Sequence, residues 1–370
     1  MSLIHRAGRL QLPGLLLTKG LDMAAFGIST FLLVACALLF SATVEAATYN
    51  LSAGQYPPCS SKSWTANGNT YVCNYGKVTL NAGDAVVANA SSTLWAENGF
   101  LIDASVVGSS AHNIMLRSSY GVIITSGGSS AGTVIFGSVV GASVTLGGTT
   151  VKGSVTGSGG AVMVNSEIEG NVGFNNEITL TNTIVAGFVE SANREITLSG
   201  GSVGGGVNSS GGAGVFIDGT TVQGDISSAN IISIEDSKVT GNVGSSCCKV
   251  TVTSSSVQGD IFTQGNPIEL NGTDVVGTVS NTNKIYLNSS FVYGDVLAAT
   301  GWGSQVTIQG IGNSRIYGQC AYSGVSPTYL CSDSKDINEL LPLYLRFDEA
   351  TWRNATVRNS GTLDMVGSAS

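Results

Sequence analysis

A short repeat built around glycine constrains the fold of this chain more than any other feature. Branched apolar residues flank a central glycine, as in Ile168–Val172, Val222–Ile226 and Val257–Ile261. Successive central glycines are separated by 16 to 19 residues. They are Gly137, Gly153, Gly170, Gly187, Gly205, Gly224, Gly241, Gly259, Gly277 and Gly294. A period of this length with two or three short strands per repeat is typical of one coil of a parallel β-helix.

The alternation of residues within each repeat predicts which side chains form the core. Side chains on a strand point to opposite faces in turn, so the flanking valines should face inward and the residues between them should face solvent. The central glycine should suit a bend or the close approach of the next coil, which is a structural role rather than a ligand contact. The sequence therefore predicts an all-β fold, a parallel β-helix of about ten to twelve coils. Parallel crossover geometry favours right-handed winding.

Residues 1–46 have the pattern of an export signal. Three basic residues precede the apolar stretch 26–40, and Val44–Ala46 offers small residues for cleavage before Ala47. A retained anchor is the alternative, because 24–44 approaches the ~20 residues that span a bilayer. We expect export to the periplasm, the outer surface or the exterior of a Gram-negative bacterium. Contact with a membrane is expected only through this segment if it stays uncleaved.

Six of the seven cysteines follow this segment, an even number that suits an exported protein. Cys59 and Cys73 bracket one short loop, and Cys320 and Cys331 bracket another. These pairs are the candidate disulfides. We expect no metal site or cofactor, because no Cys-x-x-Cys pair occurs and the two histidines lie far from the cysteines.

The adjacent pair Cys247-Cys248 is harder to assign. A vicinal disulfide, a redox pair and two unpaired thiols at a corner of a loop are all compatible with the sequence.

The chain divides into four segments by composition. After residues 1–46, residues 47–105 form an irregular N-terminal cap region with a disulfide loop, which should cover the open strand edge of the first coil. Residues 106–330 form the solenoid. Residues 331–370 contain a connector and a new strand pattern, which is either a C-terminal lid or the start of a further domain.

Charge excludes one class of partner. Only 11% of the residues are charged and the net charge is −8. The scattered lysines and arginines form no basic patch that would neutralise phosphates, so we expect no binding to nucleic acid.

Three aspartates are the best candidates for a functional site. Asp225, Asp260 and Asp295 each follow a central glycine and lie 35 residues, or two coils, apart. Two coils correspond to ~9 to 10 Å, close to the upper end of the ~6.5 to 9.5 Å between the carboxylates of an inverting glycosidase. Capping of turns is the favoured interpretation, since aspartate accepts local backbone hydrogen bonds. A binding edge, or a hydrolytic pair of Asp225 and Asp260, is the alternative. We assign no catalytic residue.

Two resemblances bear on function. The Val-x-Gly-Asp-Ile pattern across residues 135–296 resembles the bactofilins, bacterial β-helix proteins that form polymers, and this resemblance implies self-assembly. The segment Tyr344–Glu349, with Trp352 and Asn359–Gly361, resembles the opening strands of laminin-G-type jelly rolls. An export signal, a solenoid and the start of a jelly roll, in this order, resemble the N-terminal part of MshQ-like proteins of the mannose-sensitive haemagglutinin type IV pilus system. This resemblance implies adhesion or pilus assembly at the cell surface.

From these observations we expect an exported, non-enzymatic β-solenoid scaffold or adhesin. Its partners would be pilus components, other outer-surface components or surface polysaccharide. The alternatives are a polysaccharide-active β-helix enzyme, either hydrolase or lyase, and a self-assembling polymer.

Overall fold

Parallel strands stacked into a solenoid make up this protein. The computed structural model describes residues 46–103, 105–126, 132–298, 307–311, 313–318 and 320–322. In this part of the chain the only helix is a short 3₁₀ turn at Leu51–Ala53. The strands form a β-solenoid of about 12 turns, which confirms the predicted fold class.

Each regular coil contributes a strand to each of three faces, called A, B and C in chain order. Face A contains Val78–Leu80, Phe100–Asp103, Val122–Ser126, Ser143–Gly147, Ala161–Val164, Val215–Asp218, Ile232–Glu235, Val250–Thr253, Ile268–Asn271, Lys284–Asn288 and Thr307–Ile311. Face B contains Thr48–Asn50, Ala85–Val87, Val106–Val107, Thr133–Ile135, Thr149–Val151, Glu167–Ile168, Thr221–Val222, Lys238–Val239, Ser256–Val257, Asp274–Val275, Phe291–Val292 and Arg315–Ile316. Ile178–Val185 and Ile196–Val203 run through faces A and B without interruption. Face C contains Thr70–Cys73, Ser92–Ala96, Ile114–Arg117, Val139–Gly141, Val155–Gly157, Val172–Phe174, Val189–Ser191, Val207–Ser209, Ile226–Ser228, Val243–Ser245, Ile261–Thr263, Val279–Asn281, Val296–Ala298 and Cys320–Tyr322.

The core consists of columns of aliphatic side chains. Val155 pairs in parallel with Val172, and Val172 pairs with Val189, so the same side chain repeats from coil to coil. All three are fully buried. Burying one such side chain contributes about 1.5–3 kcal/mol, and the stacking repeats this gain in every coil. The prediction that the flanking valines face inward is confirmed.

The first coils begin within the segment expected to be a cap. Val78–Leu80 pairs in parallel with Phe100–Asp103 on face A, and Thr48–Asn50 pairs with Ala85–Val87 on face B. The solenoid strands therefore extend into residues 47–105. The irregular part of this region lies between Leu51 and residue 69.

A hairpin and a disulfide lie at the N-terminal edge of face C. Trp64–Asn67 runs antiparallel to Thr70–Cys73, which is the first strand of the face. The side chains of Tyr56 and Trp64 stack with ring centroids 5.1 Å apart. A disulfide joins Cys59 to Cys73, as predicted, with 5.9 Å between the Cα atoms. The antiparallel strand occupies the edge that a further coil would otherwise extend.

Several expectations lie outside the described residues. These are the export signal of residues 1–46, except for its last residue, and the jelly-roll resemblance in 344–361. The Cys320–Cys331 pair also falls here, because Cys331 is not described. The part of the chain that the structure describes contains no helix with the length and hydropathy of a membrane span.

Candidate functional site

The central glycines form one corner of the solenoid, between faces B and C, which we call the glycine corner. The backbone N–H of Gly170 donates to the carbonyl oxygen of Gly153 at 3.1 Å, and Gly187 donates to Gly170 in the same way. A Cβ atom built on Gly259 would lie 2.5 Å from the carbonyl oxygen of Gly241, closer than real Cβ atoms approach. Successive coils therefore meet here backbone to backbone. The predicted close approach is confirmed, and it leaves no space for a side chain.

The residues that follow the central glycines form a polar edge beside this corner. The carboxylate of Asp225 accepts a hydrogen bond from the backbone N–H of Asn242 at 2.7 Å. The side-chain oxygen of Asn242 accepts from the N–H of Asp260 at 2.8 Å, and Asp260 accepts from Thr278 at 2.7 Å. Each side chain thus binds the equivalent backbone position one coil further along.

Earlier coils, which Phe188 and Gly206 separate from this stretch, show the same arrangement with other residue types. The hydroxyl of Ser138 accepts from the N–H of Ser154 at 3.2 Å, and Ser154 accepts from Asn171 at 3.1 Å. Asn171 in turn accepts from Phe188 at 3.0 Å. Serine, asparagine and aspartate are interchangeable here because each supplies an oxygen acceptor of suitable reach.

The structure shows how the three predicted aspartates are used. Asp225 and Asp260 lie on one exposed edge, two coils apart, with Asn242 between them. The oxygen of Asp295 lies against Gly318 of the next coil, the same relation that Asp260 has to Gly277. We expected capping within the local turn, whereas Asp225 and Asp260 bind the amide of the next coil. Stacking of the coils brings the backbone N–H of the next coil within 2.7 Å of each of these two carboxylates.

This edge is a row of acceptors rather than a converging site. The side chains recur along the axis, and Asp225 and Asp260 each accept a hydrogen bond from a backbone N–H. Across the described ranges, no group of three or more His, Cys, Asp or Glu residues is placed to hold a metal ion. The hydrolytic pair of Asp225 and Asp260 stays a prediction.

The corner between faces A and B contains buried hydroxyl groups that the sequence analysis missed. The N–H of Thr220 donates to the hydroxyl of Ser237 at 3.0 Å, and the N–H of Ser237 donates to Ser255 at 3.0 Å. The residue before these hydroxyls has a left-handed backbone, with φ of 45° at Asp236 and 48° at Ser254. A residue tolerant of positive φ followed by serine or threonine is the sequence pattern that would have revealed this corner.

The corner between faces C and A also uses buried polar side chains. Ser209 donates to the carbonyl oxygen of Arg194 at 3.0 Å, and Ser245 donates to that of Asn230 at 2.7 Å. The residues with this role are Ser191, Ser209, Ser228, Ser245, Thr263 and Asn281. All six are buried, and each binds back to the preceding coil.

Cys247 and Cys248 lie on the outer side of this third corner and form a vicinal disulfide. The structure therefore shows paired cysteines rather than two unpaired thiols, and a redox role for the pair stays a prediction.

A shallow groove lies beside the first coils. Its volume is about 380 Å³, and its lining includes Asn69, Ser91, Asn113 and Lys152. The ammonium group of Lys152 forms an ion pair with Glu169 of the next coil, and this contact raises the pKa of Lys152. The one cationic group of the lining is therefore already neutralised by the chain.

Comparisons with known proteins add no assignment. A scan against protein-family models found no match, and neither did searches of curated proteins and of solved structures.

Proposed function

We propose that this chain is an exported, non-enzymatic β-solenoid scaffold of the bacterial surface, with a role in adhesion or in type IV pilus biogenesis. The observation that carries the proposal is the use of polar side chains at all three corners. At each corner these side chains bind the backbone of a neighbouring coil, as Asp225, Ser237 and Ser245 do.

Such bonding suits a scaffold because neighbouring coils are joined by three strand ladders and, at many coils, by polar side chains at the corners as well. Separating two coils would break all of these hydrogen bonds together, each worth about 0.5–1.5 kcal/mol. A catalytic site needs groups that converge on one reacting atom at about 3 Å. The polar groups here are instead spread along the axis, one or a few per coil, which favours a mechanical role.

The disulfides support export. Cys59 is joined to Cys73 and Cys247 to Cys248. Disulfides persist in oxidising compartments and are rare in the cytosol. The resemblance to MshQ-like proteins supports the more specific association with a pilus.

Exposure on intact cells tests the proposal. A peptide tag inserted at Gly212 lies in a surface turn, where even a built Cβ atom has no neighbour within 4 Å. External protease should remove the tag from intact cells of the native host. In a matched variant lacking residues 2–46 the tag should be protected until the cells are lysed. A tag on the full chain that is also protected until lysis would contradict surface display.

The pilus association needs a separate measurement. A host strain lacking the chain should carry fewer surface pili or attach less well than the parent strain, and the restored gene should reverse the defect. Unchanged pilus number and attachment would remove this part of the proposal.

A further inference from the structure

The vicinal disulfide occupies an exposed turn that follows the tenth of the fourteen described strands on face C. Cys247 and Cys248 connect Val243–Ser245 on face C to Val250–Thr253 on face A. Cys247 is exposed and Cys248 is half-buried. A reagent in solution can therefore reach the sulfur of Cys247.

This disulfide adds little to the stability of the fold. A disulfide stabilises mainly by closing a loop in the unfolded chain, and the gain grows with the length of that loop. Cys247 and Cys248 are adjacent and close no loop, whereas Cys59 and Cys73 are 14 residues apart. Cys59 and Cys73 are also buried, at 8% and 0% exposure. The two bridges therefore differ in both stabilisation and access.

Other contacts hold the turn in place without the disulfide. The N–H of Cys248 donates to the hydroxyl of Ser245 at 2.9 Å. The hydroxyl of Thr263 donates to the carbonyl oxygen of Cys248 at 2.6 Å, and the amide of Asn266 donates to that of Cys247 at 2.7 Å. Opening the S–S bond breaks none of these hydrogen bonds.

The environment of Cys247 also suits the reduced form. At this corner, asparagine side chains donate to a carbonyl oxygen of the preceding coil, as Asn266 does to Cys247 and Asn283 does to Gly265. Cys247 occupies the position of such an asparagine in its own coil. Its sulfur lies 2.9 Å from the carbonyl oxygen of Ala229 in the preceding coil. A disulfide sulfur has no hydrogen to donate, whereas a thiol does. Reduction therefore adds a donor where neighbouring coils have one.

We propose that Cys247–Cys248 is a thiol–disulfide exchange site that accepts an external dithiol. A thiolate of the dithiol attacks the exposed sulfur of Cys247, the S–S bond breaks, and its electron pair passes to the sulfur of Cys248, which takes up a proton. The mixed disulfide now joins Cys247 to one sulfur of the dithiol. The second thiolate of the same dithiol attacks that dithiol sulfur and closes a disulfide within the reductant. Cys247 leaves as a thiolate and is protonated. The protein gains two thiols, and the dithiol is oxidised to a disulfide.

Titration of the full chain with dithiothreitol under native conditions tests this proposal. After each step, free thiols are alkylated and located by mass spectrometry of peptides. Alkylation of Cys247 and Cys248 should appear at a dithiol concentration at least about tenfold lower than alkylation of Cys59 and Cys73, because exposed bridges are the labile ones. Removal of the reductant in air should restore the bridge.

Two variants separate exchange from a structural role. Cys247→Asn combined with Cys248→Ser keeps a side-chain donor at the corner, so it should keep the far-ultraviolet circular dichroism of the parent and lose the thiols released at low dithiol concentration. Cys247→Ala combined with Cys248→Ala removes the donor and should unfold at a lower temperature than the first variant. The proposal is overturned if both native bridges open at the same dithiol concentration, or if Cys247–Cys248 opens only after denaturation.

Discussion

Replacing Gly241 by alanine tests the contact between coils at the glycine corner. The new Cβ atom would lie 2.5 Å from the carbonyl oxygen of Gly224 and 2.6 Å from the backbone nitrogen of Asp225. Both neighbours are backbone atoms, so a change of rotamer cannot relieve the clash. One coil must move away from the next.

The expected cost has two parts. Overpacking a tight site costs about 1–3 kcal/mol. Moving the coil also lengthens the 2.7 Å bond from the N–H of Asn242 to Asp225, and losing a bond of this kind costs about 0.5–1.5 kcal/mol. We expect Gly241→Ala to lower the free energy of unfolding by about 2–4 kcal/mol.

Gly173→Ala is the matched control on face C. A Cβ atom built on Gly173 has its nearest neighbour at 3.8 Å, the Cγ2 atom of Thr156, which is an ordinary contact. Losing a glycine at a position that alanine tolerates stabilises a protein by about 0.4–1 kcal/mol. Urea unfolding followed by circular dichroism compares the variants, and hydrogen exchange at Asn242 localises the effect. The reasoning is refuted if Gly241→Ala unfolds at the wild-type urea concentration, or if both variants are destabilised equally.

Three further predictions concern the other sites. The free energy of unfolding of Asp225→Asn should lie within about 0.5 kcal/mol of the wild-type value, because an amide oxygen can accept from the N–H of Asn242 as the carboxylate does. Asp225→Ala removes the acceptor and should lower the free energy of unfolding by about 1–2 kcal/mol. Equal thermal stability of the two variants would argue against the row of acceptors. Ser255→Ala should cost about 1–3 kcal/mol in urea unfolding, because it leaves the buried N–H of Ser237 without its acceptor, and an unchanged midpoint would contradict this. The mature chain should begin at Ala47 by intact mass, and a mass that retains the preceding residues would favour the membrane anchor.

The coils and their core could be predicted from the sequence because both follow from short-range patterns. Alternation along a strand decides which side chains face inward, as for Val155 and Val172. The recurrence of glycine gives a coil length of 16 to 19 residues. The close packing at Gly259 follows from these two patterns, since only glycine allows such an approach.

The hydrogen-bond partners at the corners could not be predicted in the same way. The partner of Asp225 is the amide of Asn242, 17 residues away, and coil lengths vary enough to shift such a pairing. The buried hydroxyls of Ser237 and Ser255 were missed because serine and threonine are also common on the outer faces. A recurring serine or threonine does not show whether its side chain faces the core or the solvent. Only the register of the stacked coils decides this.

The candidate site was predicted in part. The sequence places Asp225 and Asp260 on one edge, and the structure has them there. Which atoms they bind depends on the stacking of coils. The state of Cys247 and Cys248 depends on the conformation of one turn, which their adjacency in the sequence does not determine.

A distance measured along face C tests the central claim most directly, namely that the chain forms one continuous solenoid in register. Thr156 and Ser280 lie in the same outward column, seven coils apart. At ~4.8 Å per coil their Cα atoms should be ~34 Å apart. Spin labels can be attached at these two positions through an unnatural amino acid, which leaves the native cysteines unmodified. Pulsed electron paramagnetic resonance then measures the distance between the two labels. A single narrow distribution within a few ångströms of this distance, allowing for the label tethers, is the predicted result. A broad distribution, or one centred well beyond it, would contradict the account.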